Sequence, residues 1–286
     1  MTPEELSGLK LLSAKIRRDI LVMLEKAGSG HLGGSMSIVE LMSVLYGRRL
    51  NYDPKNPRWE DRDRVVLSKG HAGPGWYSAL AESGFFDREM LLTLNVGGTN
   101  LPSHPDRTKT PGVDMTTGSL GQGTSTAAGI ATALRMKGSK SRVYLIVGDG
   151  ELNEGQCWEA FQYLAHYKLN NCVVVIDWNK RQLDGTCEEV MNPFDIAEKM
   201  RAFGFAVQQV NGQDIEALDE ALAAVADEAV TDSATCVVMD TVKGAGVPFF
   251  ETYAGNHSVK FSDPACKEAA DAAIAELTAY IEGSEA

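Results

Sequence analysis

The chain has 286 residues, 39 of them acidic against 27 basic, for a formal net charge of −12, and 44% of its residues are hydrophobic. That charge argues against nucleic acid and anionic membrane surfaces as partners and does not repel a Mg²⁺ complex. No stretch reaches 18 apolar residues, the amino terminus has no apolar leader core, and five cysteines without CxxC spacing read as free thiols, so one large cytoplasmic domain over residues 1–286 is expected.

In chain order the first predicted element is a helix opened by Thr2 as N-cap, Pro3 in the first turn and Glu5 in capping-box position, with Leu9, Leu12, Ile16, Ile20 and Leu24 near helical spacing. A second helix is expected through residues 38–46. Residues 51–63 read as a surface loop before the short strand Arg64 to Leu67, and residues 121–136 as a helix whose small residues allow close packing. Strands follow at Val143 to Val147 and Cys172 to Ile176, with a helical pattern between them. A loop near Leu183-Asp184-Gly185, a helix near 196–203, a strand at 205–210, a helix over 214–229 and a strand at 235–239 come next. A last helix begins at Asp263-Pro264 and reaches about Ile281, leaving a polar tail. Cys172 and Cys236 fall inside apolar strands and are expected in the core. With no repeat or low-complexity segment, the fold class is α/β, a doubly wound parallel sheet with helices on both faces.

Within that alternation the richest segment is Gly148-Asp149-Gly150-Glu151-Leu152-Asn153-Glu154, paired with Asp177-Trp178-Asn179. Each half follows an apolar strand of one βαβ unit, which puts both polar tips at the carboxyl ends of neighbouring parallel strands. A carboxylate and a carboxamide there can share a hard cation, since Mg²⁺ takes oxygen ligands and completes its shell with phosphate oxygens. Gly148 and Gly150 let the turn bend and an anion approach backbone N–H groups. Alone, a Gly-Asp-Gly tripeptide is more often a strand-ending turn, and Glu154 an acid in a first helical turn. The Asn thirty residues after the Asp, on a second buried strand, favours the metal reading. Four of five histidines, His31, His71, His104 and His257, lie in Gly-, Ser- or Pro-containing loops, where function concentrates, whereas His166 on the intervening helix reads as a surface residue.

Gly-Asp-Gly followed about thirty residues later by Asn resembles the signature of thiamine diphosphate enzymes. Ser29-Gly30-His31-Leu32-Gly33-Gly34, Ser68-Lys69-Gly70-His71-Ala72, Pro102-Ser103-His104-Pro105, Thr117-Gly118-Ser119-Leu120-Gly121-Gln122-Gly123 and Ala254-Gly255-Asn256-His257-Ser258 resemble the successive motifs of transketolase, in transketolase order, from about residue 10 to about residue 262. The match corresponds to the first third to half of a full-length transketolase. Ser119 and Leu32 stand where Pro is common in that family, and neither change removes a reacting group. Lys69, where Asn is frequent, is expected to face solvent rather than the anion site.

The resemblance implies a set of roles. Asp149 and Asn179 would ligate Mg²⁺, or Ca²⁺ or Mn²⁺ in its place, with the backbone carbonyl of Arg181. His71 and His257 would hold the diphosphate with the Gly150 N–H, while Gly118 and Leu120 border the cofactor rings. His31 and His104 would line the ketose channel, and Glu154 would reach a glutamate of a partner domain. In this family that glutamate, on a separate pyrimidine-binding domain, activates the cofactor, and the corresponding half is not in this chain. The resemblance thus implies the amino-terminal, diphosphate-binding subunit of a split transketolase. It would transfer a two-carbon ketol unit between sugars, and its partner in an α2β2 assembly would be the carboxyl-terminal subunit. A deoxyxylulose phosphate synthase-like or 2-oxoacid dehydrogenase-like subunit, or a non-catalytic regulatory subunit, stays open as the alternative.

Overall fold

The computed structural model describes residues 1–226 and 232–285. Five parallel strands form the central sheet: β2 (Arg64–Leu67), β3 (Val143–Gly148), β4 (Cys172–Trp178), β5 (Ala206–Asn211) and β6 (Thr235–Asp240), in the spatial order β2-β3-β4-β6-β5. The register sets Gly148 opposite Asp177, and Trp178 opposite Asp240, so three strands end at one level. A two-residue antiparallel ribbon, β1 (Ser29–Gly30) with β7 (Val259–Lys260), stands apart from the sheet.

Strands buried on both faces need apolar residues of both parities, and each parity packs on its own helical layer. Val65, Leu67, Tyr144, Ile146, Val173, Val175, Val237 and Met239 face α1 (Pro3–Ala27), α3 (Val39–Val44), α4 (Gly73–Glu82) and α9 (Ile215–Ala226). Val66, Val143, Leu145, Val147, Val174, Ile176 and Val238 face α5 (Gln122–Met136), α6 (Gly155–His166) and α8 (Ile196–Ala202). The expected doubly wound sheet is therefore present, and Cys172 and Cys236 are wholly buried in it. All five cysteines are free and buried. Among the described residues no helix is long and apolar enough to cross a membrane.

The capping box of α1 is formed as expected, Thr2 Oγ1 accepting from the Glu5 N–H and Glu5 Oε2 from the Thr2 N–H at 2.7 Å. Several short elements differ from expectation. Gly73-Pro74-Gly75, in a stretch where no element is expected, opens α4, because proline is tolerated in a first turn and Gly75 lets the Ser35 carbonyl come within 2.9 Å of where a Cβ would sit. Two short helices, α2 (Gly33–Met36) and α7 (Cys187–Met191), follow the loops expected around His31 and around Leu183-Asp184-Gly185, and α10 (Pro248–Thr252) is equally short. The expected tail after Ile281 is instead helical, α11 running Pro264–Glu285, with Glu285 paired to Lys15 at 2.5 Å. Residues 227–229 of the helix expected over 214–229 lie outside the described residues.

Candidate active site

The carboxyl ends of β3 and β4 deliver the expected polar tips side by side. Asp149, 3% exposed, accepts from its neighbour Gly150 N–H at 2.7 Å and from the Lys180 N–H, beyond β4, at 2.5 Å. Asn179 Oδ1 accepts from the Arg181 N–H at 3.2 Å. The Arg181 carbonyl accepts from the ammonium of Lys243 at 3.0 Å, and the same ammonium lies 3.2 Å from His257 Nδ1. One carboxylate, one carboxamide oxygen and one backbone carbonyl thus share a single corner. Gly150 N–H, expected to meet the diphosphate, donates here to Asp149.

Burial, and then the charge of Asp177, push the Asp149 carboxyl up to about 6. Burial, with Lys69 also opposing, brings the Lys243 ammonium down to about 8, although Asp149 pulls the other way. A buried carboxylate whose nearest help is backbone N–H groups and an ammonium that is itself desolvated fits a site completed by a cation. The donor set is all oxygen, which suits a hard divalent ion. Among the described residues no cluster of three or more His, Cys, Asp or Glu is arranged to hold a metal, so the ion would rest on one protein charge plus the oxygens of a bound anion.

The four loop histidines converge on this corner. The His31 ring centroid lies 5.6 Å from His71, 5.6 Å from His104 and 5.4 Å from His257, and His71 lies 5.0 Å from His257. The ribbon of β1 and β7 brings His31 and His257 together, reinforced by the Gly33 N–H donating to the Asn256 carbonyl at 2.8 Å. His71 sits on the turn after β2, where Gly70 packs so tightly that a Cβ would lie 2.7 Å from Gly118 N. Gly118, at φ +148°, lies against the His104 ring. Leu120 is half-buried in the turn that leads into α5. His166 is exposed at the end of α6, against Tyr167 and outside the cluster. Burial lowers all four clustered imidazoles, His257 to about 4 and His71 well below its ordinary value, which favours the neutral form near pH 7.

Three residues enter the site that sequence reasoning did not assign. Lys243 lies in Val242-Lys243-Gly244-Ala245-Gly246 directly after β6, and a lysine in a glycine-rich turn behind a strand was the available signal. Glu151 is the buried acid of the central motif: it accepts from Ser68 Oγ at 2.6 Å and from the N–H groups of Gly121 and Gly148 at 2.8 and 3.1 Å, which locks β2, α5 and β3 together. Glu154, the acid singled out, is exposed at the N-cap of α6. Lys69 does not face solvent; it is 1% exposed and pairs with Asp177 at 2.5 Å. Its surroundings, not the residue type, decide that.

A cavity of about 680 Å³ opens beside the corner, lined by Asn179, Arg181, Cys187, Phe194 and Lys243 among others. A larger one, about 850 Å³, lies among Arg62, Arg64, Arg107 and Asp114. Arg62 and Arg64 there are spent on Asp114 and on backbone carbonyls, so convergent chemistry rather than size locates the site.

Comparison with known proteins gives the family. The family model described as "Transketolase, thiamine diphosphate binding domain" matches residues 10–273. The 6-deoxy-6-sulfo-D-fructose transketolase subunit SqwG of Clostridium sp. (strain MSTE9) is 44% identical over 264 residues, covering 92% of this chain and 93% of that one. An apulose-4-phosphate transketolase subunit of Actinobacillus succinogenes is 39% identical, covering 88% and 91%. The solved transketolase of Campylobacter jejuni superposes with a TM-score of 0.84 at 28% identity, over 100% of this chain and 47% of that one. The chain is thus similar to separate subunits over nearly their whole length and to about half of the solved transketolase, and it belongs to the transketolase family, as its thiamine diphosphate binding domain.

Proposed function

We propose that this chain is the diphosphate-binding subunit of a two-subunit transketolase, moving a two-carbon ketol unit from a ketose donor to an aldose acceptor. The observation that carries this is the convergence of four neutral imidazoles beside the Asp149, Asn179 and Arg181 oxygens. When bound, thiamine diphosphate supplies the nucleophile and electron sink for carbon–carbon cleavage. Asp149, Asn179 and the Arg181 carbonyl would hold Mg²⁺, or Ca²⁺ or Mn²⁺ in its place. His71, His257 and Lys243 would hold the diphosphate, and Gly118 and Leu120 would border the rings. His31 and His104 hydrogen-bond the sugar hydroxyls, and as neutral imidazoles each can donate or accept a proton there.

Exposed Glu154 meets the partner, a carboxyl-terminal subunit whose pyrimidine-binding domain brings the activating glutamate, in an α2β2 cytoplasmic assembly of sugar metabolism. On this reading the substrates are sugars, with phosphorylated ones the first to assay. The names of two relatives carry a sulfo-fructose and apulose-4-phosphate, which makes sugars with a sulfonate end the second set to assay. Assay of the purified chain with a ketose donor and an aldose acceptor, with and without its co-purifying partner, tests the proposal. Activity is expected with the partner and none without it; turnover by the chain alone would refute the division of labour.

A further inference from the structure

Beyond the first ring of metal-facing atoms lies a pair of fully buried charges that the reaction does not touch. Asp177 is 0% exposed and Lys69 is 1% exposed, on different strand ends. Asp177 Oδ2 accepts from Lys69 Nζ at 2.5 Å, from Ser37 Oγ at 2.7 Å and from Asn179 Nδ2 at 2.9 Å, while Oδ1 accepts from Thr241 Oγ1. Lys69 Nζ also donates to the Gly34 carbonyl at 2.8 Å. Gly34 in turn packs on His71, whose Nε2 lies 3.1 Å from where a Cβ would be.

A carboxamide is nearly symmetric in shape, and its two ends differ only in what they donate or accept. Asn179 must show oxygen, not N–H₂, to a cation. A buried carboxylate is an acceptor-only neighbour, so it holds the N–H₂ end and leaves Oδ1 facing the other way, toward the Arg181 N–H. A hydroxyl or amide neighbour would accept either end. A carboxylate in a dry interior needs a counter-charge, and Lys69 provides it from the β2 side.

We propose that Asp177, made tenable by Lys69, is the positioning residue that sets the amide orientation of Asn179 for the metal, and that Lys69 ties this setting to the His71 side of the site. The inference rests on Asn179 being a metal ligand. Outer-shell partners of metal ligands commonly matter by 10–100-fold in metal affinity, and that is the scale expected here.

The test uses the complex of this chain with its partner, titrated with Mg²⁺ in the presence of thiamine diphosphate by calorimetry, with thermal unfolding alongside. Asp177→Asn puts a two-ended amide beside Asn179, and about a 10–100-fold weaker Mg²⁺ affinity is expected, with kcat recovered at saturating Mg²⁺ and an unchanged sugar KM. Should Asp177→Asn or Lys69→Met fail to fold, the double variant Lys69→Met/Asp177→Asn carries the test, because it removes both charges together. Its metal affinity should fall no further than that of Asp177→Asn alone, since Lys69 acts through Asp177. Arg17→Met/Glu40→Gln, removing another buried pair, should lower Tm and leave Mg²⁺ affinity intact. A folded double variant with wild-type Mg²⁺ affinity overturns the inference while the metal reading stands. Failure of the wild-type complex itself to bind Mg²⁺ overturns both.

Discussion

Two pairs of neighbouring carboxylates, Asp19 with Glu82 and Asp149 with Asp177, do opposite things. Asp19, on α1, is 1% exposed and takes Arg88 Nη2 at 2.7 Å and Arg18 at 3.2 Å, while Glu82 at the end of α4 lies 3.7 Å from Arg88 and 3.9 Å from Arg18. Burial, and then Asp19, push the Glu82 carboxyl up to about 7. Asp149 is pushed up to about 6 by burial and then by Asp177. A raised carboxylate therefore does not by itself mark a site. What separates the two is how the partners are spent. The Asp19–Glu82 pair is held by two arginines and staples helices, whereas Asp149 leans on backbone N–H groups beside neutral imidazoles, the Asn179 carboxamide and an open cavity.

That contrast is broken most decisively by removing each carboxylate in turn. In the assembled enzyme, Asp149→Ala or Asn179→Ala should abolish Mg²⁺-dependent retention of thiamine diphosphate, a loss on the order of 10²-fold or more in affinity. Glu82→Ala and His166→Ala should retain it. Wild-type cofactor affinity in Asp149→Ala would show the two clusters to be alike.

The histidines sharpen the picture within the site. His104→Ala should lower kcat/KM by on the order of 10²-fold with cofactor affinity nearly intact, as for one positioned donor. His71→Ala should instead weaken cofactor binding and recover rate at saturation. Equal cofactor loss in both, with unchanged chemistry once saturated, would remove His104 from the sugar channel.

The pH dependence differs in kind between the clusters. A cation needs Asp149 ionised, and its pKa in the fold is raised, so below about pH 6 protons compete and Mg²⁺ affinity should fall about tenfold per pH unit. Calorimetry at pH 5.5 and 7.5 in buffers of different ionisation heat reads the released proton, and a pH-independent affinity contradicts the assignment. Glu82 gives the smallest effect. Its raised pKa contributes stability that is fully present below the ordinary carboxyl range and is lost as pH rises through about 7. Glu82→Gln should therefore unfold about 1–3 °C higher than the wild type at pH 8 and close to it at pH 5, with activity unchanged. A destabilised variant at pH 8 would mean that the arginines outweigh burial.

Local chemistry made much of this legible in advance. Thr2-Pro3-Glu4-Glu5 caps a helix wherever it occurs, and the apolar runs ending at Gly148 and Asp177 can bury themselves only as central strands of a sheet covered on both faces. The spacing of Asp149 and Asn179 then places two oxygens at one edge, because a βαβ unit returns its second strand beside the first. What misled was a state that depends on a distant partner: the last turn of α11, expected as a polar tail, persists with Lys15 paired to Glu285.

By itself, then, the sequence determined the parallel α/β sheet and the placing of Asp149 and Asn179 on neighbouring strand ends, read from spacing and apolar runs, while loop sequence and the resemblance to transketolase motifs made four histidines candidates. Only the tertiary structure decided that the histidines meet, since His31 and His257 stand 226 residues apart and come together through a ribbon of two residues on each side, with too few residues to leave a periodic signal. It also decided which charges are structural. A lysine beside Gly70 and an acid after Gly150 carry no mark of burial in their own neighbourhoods, and Lys69 and Glu151 become inward groups because Asp177, Ser68 and the N–H groups of Gly121 and Gly148 lie within hydrogen-bonding distance of them.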